Sequence, residues 1–135
     1  MASEPSTLMA TYVRAWNEHN ADDLLRCLTP DCVYEDTALR KTMPDPASLR
    51  AFVDETARDF PDVRFNTVTL AEGPGHATWE WVMAGHYVAP ARAGQPEKRK
   101  PISVRGVSVI QLRDGKVCNV RDYWNREVLR KQLAD

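Results

Sequence analysis

Apolar residues recur at Leu8, Met9, Tyr12, Val13 and Trp16, the i, i+3, i+4 spacing of one helical face. The spacing predicts a first helix over 6–19, capped by Ser6 or Thr7. Leu24, Leu25 and Leu28 predict a short second helix over about 21–28, ended by Thr29-Pro30-Asp31. A short strand follows at Val33–Asp36. Asp45-Pro46 pairs a capping carboxylate with a proline suited to the first helical turn, so a third helix should run to about Asp59, burying Leu49, Phe52 and Val53. Beyond Pro61-Asp62 the period changes from 3.6 to two. Strands rich in Val, Ile, Thr and Trp are predicted at 63–71, 76–88, 101–112 and 116–125. Gly73-Pro74-Gly75 and Arg113-Asp114-Gly115 read as hairpin turns, Ala89–Lys100 as a long loop, and Arg126–Leu133 as a terminal helix.

Three helices leading into long antiparallel strands define an α+β fold, with the helices gathered on the concave face of a curved, cone-shaped sheet. The 135 residues suit a single domain, 1–135, with no repeat. A net charge of −1 provides no field to hold nucleic acid or an anionic membrane. The basic run Lys98-Arg99-Lys100 reads as part of a solvated loop. Cys27, Cys32 and Cys118 have no metal-like spacing and read as free thiols, which implies a cytoplasmic protein. His19, His76 and His86 are scattered, no nucleotide or flavin motif occurs, and no apolar run reaches the ~20 residues of a membrane span. Neither a metal nor a cofactor is therefore expected.

Several local sequences carry a resemblance. Tyr12-Val13-Arg14-Ala15-Trp16-Asn17, then Ala21-Asp22-Asp23-Leu24, then Tyr34-Glu35-Asp36, resemble the opening of the nuclear transport factor 2-like superfamily. Phe60-Pro61-Asp62, Arg105-Gly106-Val107-Ser108, Asp114-Gly115-Lys116-Val117 and Asp122-Tyr123-Trp124-Asn125 resemble its SnoaL-like polyketide cyclase branch. The resemblance implies the cone-shaped fold, a buried pocket and a homodimer formed through the outer face of the sheet. In the ketosteroid isomerase branch a helix-1 tyrosine binds the substrate oxyanion and an aspartate ending the first strand moves the proton; Tyr12 and Asp36 match those positions. Where that branch carries a protonated aspartate on the penultimate strand, this chain has Ser108. In the cyclase branch the acid–base group is an aspartate on the last strand, matched by Asp122.

Strand alternation independently places candidates together. Val120, Asp122 and Trp124 share one face of the last strand, and Trp79, Trp81 and Met83 one face of an earlier one. With both faces toward the helices, Asp122 is a carboxylate among indoles, and burial raises its pKa toward the range useful for proton transfer. A three-residue turn pairing Leu112 with Lys116 puts Gly106 and Ser108 on that face; a two-residue turn substitutes Val107 and Val109. The candidate catalytic set is Asp122, Asp36 and Tyr12, with Trp16, Phe52, Trp79, Trp81, Met83, Ser108, Val120 and Trp124 around the substrate. Plainer roles compete: Tyr12 as a core tyrosine, Asp36 as a turn cap, Asp122 as an ion-pair partner of Arg14 or Arg121. His86 and Glu80 read as surface or interface residues.

The expected function is acid–base cyclisation or isomerisation of a small hydrophobic, carbonyl-containing metabolite of polyketide-like or terpenoid-like character. A non-catalytic ligand-binding or dimerisation module, and an epoxide hydrolase or dehydratase in the same cavity, are the alternatives. No Arg-x-Asp face pair of the kind used by epoxide hydrolases of this superfamily occurs on the relevant strands.

Overall fold

The computed structural model describes residues 4–91 and 93–134. The elements run α1 (Thr7–Asn17), α2 (Ala21–Arg26), β1 (Leu28–Asp36), β2 (Lys41–Met43), α3 (Pro46–Asp59), β3 (Arg64–Gly73), β4 (His76–Ala89), β5 (Lys98–Arg113), β6 (Lys116–Trp124) and α4 (Arg126–Leu133). All six strands form one sheet in the order β2-β1-β6-β5-β4-β3. Every pairing is antiparallel except β1 against β6, which is parallel. Helices beside a mostly antiparallel sheet make this an α+β fold.

The helix starts follow capping chemistry. Ser6 Oγ accepts from Met9 N, and Asp45 and Ser48 form a reciprocal capping box at α3. Asn125 Oδ1 accepts from Glu127 N at the start of α4. Met9, Tyr12, Ala15 and Trp16 of α1 and Leu49 and Val53 of α3 are buried, as are Trp79, Trp81, Ile110 and Val120 of the sheet. The helices therefore lie on the face that the alternation of β4, β5 and β6 turns inward.

Four expectations change. The segment read as the end of the second helix belongs to β1, which begins at Leu28. Pro30 is tolerated there because β2 pairs only with Tyr34–Asp36, leaving that part of β1 on an edge where a missing N–H costs no ladder bond. The three-residue strand β2 was too short to show a period. The loop between β4 and β5 shrinks to 90–97, because Lys98-Arg99-Lys100 extends β5 and pairs with Tyr87–Ala89. The β5–β6 turn has two residues, not three. Asp114 (φ 53°) and Gly115 (φ 74°) lie between paired Arg113 and Lys116, the positive-φ geometry of a tight hairpin.

That two-residue turn would have put Val107 and Val109 on the inner face. A bulge in β6 near Cys118 shifts the register by one, so Ser108 pairs with Asp122 and Gly106 with Trp124. The face expected for Ser108 holds, with a different cross-strand partner.

Candidate active site

A cavity of about 390 Å³ opens between the inner face of the sheet, α3 and α4. Its wall is aromatic. Trp16, Tyr34, Phe52, Phe65, Trp79, Trp81 and Trp124 all line it, and Phe65 meets Trp81 edge to face at 5.4 Å between ring centres. Trp81 lies over Gly106: a Cβ on that glycine would come within 2.2 Å of the indole. Gly106 thus leaves the room that the ring occupies against the strand.

Three indole N–H groups are anchored. Trp79 donates to Thr67 Oγ1 at 2.9 Å, Trp81 to Ser108 Oγ at 3.1 Å, and Trp124 to both oxygens of Asp36 at 3.1 Å. Trp16 Nε1 is buried without a partner.

Asp36 and Asp122 are register partners on the parallel pair β1–β6, which sets them side by side on neighbouring strands. Both are buried, at 4% and 7% exposure, and both line the cavity. Ser108 Oγ donates to Asp122 Oδ1 at 2.5 Å, and Tyr34 OH donates to Oδ2. Because Trp81 already donates to Ser108 Oγ, the serine hydrogen is left for the carboxylate. Burial pushes the Asp122 carboxyl up to about 7, against the opposing pull of the Ser108 and Tyr34 hydroxyls; the neighbouring Asp36 charge adds to the rise. Burial also raises Asp36, held back by the Leu39 amide (2.9 Å) and the Trp124 indole.

Of the residues singled out from the sequence, Asp36, Asp122, Trp16, Phe52, Trp79, Trp81, Met83, Ser108 and Trp124 share this cavity. Tyr12 and Val120 do not reach it. Both are fully buried; the Tyr12 hydroxyl makes no hydrogen bond of good geometry, and burial and the Asp122 charge push its pKa well up against the pull of the neighbouring Trp16 and Tyr34 side chains. The tyrosine on Asp122 is Tyr34, which sequence reasoning passed over. Its signal was present: Tyr34 and Asp36 lie two apart on one strand and must share a face. The contact with Asp122, 88 residues away, arises only from the β1–β6 pairing.

The capping role of Asp36 is real, through Leu39 N, and coexists with its place on the cavity wall. Arg14 pairs with Glu18 and Arg121 donates to Asn119, so neither neutralises Asp122. His86 is bound to Asp62 at 2.7 Å and Glu80 to Arg105 at 3.5 Å, both away from the cavity. Arg126, Leu129, Arg130 and Leu133 of α4 supply part of the rim. Gln132 holds α4 in place by exchanging two hydrogen bonds with the Ser103 backbone, on a part of β5 that β6 does not reach. Among the described residues no group of three His, Cys, Asp or Glu could hold a metal ion, and no helix is long and apolar enough to cross a membrane.

The SnoaL-like domain family matches residues 9–120, and the chain belongs to that family. Solved structures agree on the fold. A candidate polyketide cyclase from Xanthomonas campestris pv. campestris superposes with a TM-score of 0.82 at 18% identity, covering 94% of each chain. A candidate polyketide cyclase from Silicibacter sp. gives 0.81 at 23% identity, over 95% of this chain and 93% of that one. A protein of ketosteroid isomerase-like fold from Catenulispora acidiphila DSM 44928, in complex with trimethylamine, gives 0.81 at 19% identity, over 96% and 93%. No protein of curated function matches the sequence significantly.

Proposed function

We propose that the cavity is the active site of an acid–base cyclase or isomerase acting on a small hydrophobic carbonyl compound of polyketide-like or terpenoid-like character. One observation carries the reading. Asp122 is a buried carboxyl whose side-chain hydrogen-bond partners are two neutral hydroxyls, with no cation paired to it among the described residues. A carboxyl kept for stability alone is normally paired, because an unpaired buried charge is costly. One poised near pH 7 moves protons efficiently in both directions.

In this mechanism Asp122 takes a proton from the carbon α to the substrate carbonyl, and the C–H electron pair moves onto the carbonyl oxygen as an enolate. Once protonated, Asp122 no longer needs both hydroxyl donors, and the Tyr34 hydroxyl is free to turn toward the enolate oxygen. Returning the proton to another carbon isomerises the substrate. Attack by the enolate carbon on a second carbonyl closes a ring, the C=O electron pair moves onto its oxygen, and that alkoxide takes back the proton held by Asp122. The Trp124 and Leu39 donors oppose the rise that burial imposes on Asp36, and the Asp36 charge keeps the Asp122 proton affinity high. An engineered apolar cavity of ~150 Å³ takes up benzene, so about 390 Å³ suits a guest of two or three fused rings. We assign the homodimer contact to the outer face of the sheet, where Tyr123 stands 44% exposed.

The test is solvent deuterium exchange at the carbon α to the carbonyl of bicyclic ketones, 2-tetralone first, followed by NMR. The wild type should accelerate exchange, and Asp122→Asn should lose ~10²–10⁴-fold of that acceleration. Guests that bind without faster exchange in the wild type would leave a binding module instead.

A further inference from the structure

The cavity has a charged rim whose charges are nearly all spoken for. Glu55 of α3 pairs with Lys41 at 3.1 Å, Asp59 with Arg58 at 3.0 Å, and Arg130 of α4 with Glu127 at 2.5 Å. Arg126 is the exception. It lines the cavity at the start of α4 and has no ion-pair or hydrogen-bond partner among the described residues.

Its position is set by the fold. Residues 126, 129, 130 and 133 follow the i, i+3, i+4, i+7 spacing of one helical face, and that face is the one turned to the cavity. Leu129 and Leu133 continue the apolar wall, and the guanidinium stands at the edge of it. Along the chain Asp122, Trp124 and Arg126 step from the floor of the cavity to its rim, at most about 14 Å for four residues. A guest whose reactive carbonyl meets Asp122 would carry its far end to Arg126.

We infer that this site selects an amphipathic anion: a fused-ring carbonyl compound bearing a carboxylate at the end distant from the reacting carbon, with Arg126 as the residue that reads that carboxylate. The inference rests on the cavity being a substrate site, as proposed above. The interior admits no second anion, since Asp36 and Asp122 already crowd the floor. The rim is the place where a negative group gains, and a guanidinium offers two parallel N–H donors that fit a carboxylate. The contribution is that of a partly solvated pair, so it shows as selectivity more than as tight binding.

All four tryptophans line the cavity, so quenching of their fluorescence reports occupancy without any turnover. Titrations of 2-naphthoate and its neutral isostere 2-naphthamide at pH 7.5 and low salt test the inference. The wild type should favour the carboxylate by about five-fold, a preference that falls as salt rises. Arg126→Gln should abolish the preference by weakening naphthoate alone, and Arg126→Lys should restore part of it. Arg121→Gln removes the same charge from outside the cavity and should leave it intact. Equal affinity for the two probes in the wild type, equal weakening of both by Arg126→Gln, or an equal loss of preference in Arg121→Gln would overturn the inference while leaving the acid–base reading in place. Failure of both probes to bind would count against both.

Discussion

Two surface aspartates, Asp22 and Asp62, and the two buried in the cavity, Asp36 and Asp122, respond to their surroundings in opposite directions. Asp22 bridges α2 to α3 through Arg50 at 2.6 Å, and Asp62 accepts from both the ring and the backbone of His86 at 2.7 Å. Hydrogen bonds from Arg50 and from His86 hold these two carboxyls below the usual carboxylate range. Asp36 and Asp122 meet only indole, hydroxyl and backbone donors, and burial raises both. Outside, water solvates the charges and Arg50 and His86 stand beside these two carboxyls, so ionisation is favoured and the pair adds little to stability. Inside, a cation would have to be desolvated as well, and the carboxyl adjusts by holding its proton. The arginines of this protein serve surface aspartates, and the two buried ones are left without any, an arrangement that costs stability.

The contrast is sharpest in the pH dependence of folding. Asp122 titrates near 7 in the native state and near 3.9 unfolded, so between those values the native state holds the extra proton. Its contribution is complete below about pH 4 and is lost as pH rises through 7. Wild type should therefore lose on the order of 4 kcal/mol of stability over that window relative to Asp122→Asn. Urea unfolding at a series of pH values measures the difference, and parallel curves for the two proteins would break the comparison.

The support of the inner carboxyl can be removed piece by piece. Ser108→Ala deprives Asp122 of one donor and leaves the Trp81 N–H without its acceptor. The cost should be about 1–3 kcal/mol, and the Asp122 titration followed by carboxyl carbon NMR should move above its wild-type midpoint. Gly106→Ala tests the wall instead of the polar group. A methyl driven into the Trp81 ring should destabilise by about 1–3 kcal/mol, seen as a drop of several degrees in Tm. The smallest effect belongs outside. Asp22→Asn should leave Tm unchanged within error at neutral pH, and whatever difference exists should fade as pH falls below about 4 and through the lowered native value. That slope is opposite to the one expected for Asp122.

Much of this site was readable from the chain, and the reasons are local. Alternation alone put Trp79, Trp81 and Met83 on one face and Asp122 with Trp124 on another, because a strand's side chains must point to opposite sides. The helix starts at Ser6 and Asp45 followed from capping chemistry within four residues. The misplacements were long-range or marginal. Tyr34 was missed as the partner of Asp122 because a parallel pairing across 88 residues has no local signature. Tyr12 carries the right residue type on the right helix, yet it is fully buried and does not line the cavity, and the hydroxyl on Asp122 is that of Tyr34. Ser108 reached the inner face through a tight turn and a compensating bulge, neither of which the pattern distinguished from a single wider turn.

By itself, then, the order of amino acids determined which side chains could ever share a surface, since period and turn chemistry act over a few residues. Which of those surfaces meet, and which hydroxyls end on the Asp122 carboxyl, was decided by strand order and a one-residue shift in register. Those depend on the packing of the whole sheet against its helices, where the free energy is summed over many distant contacts and no short stretch of chain records the result.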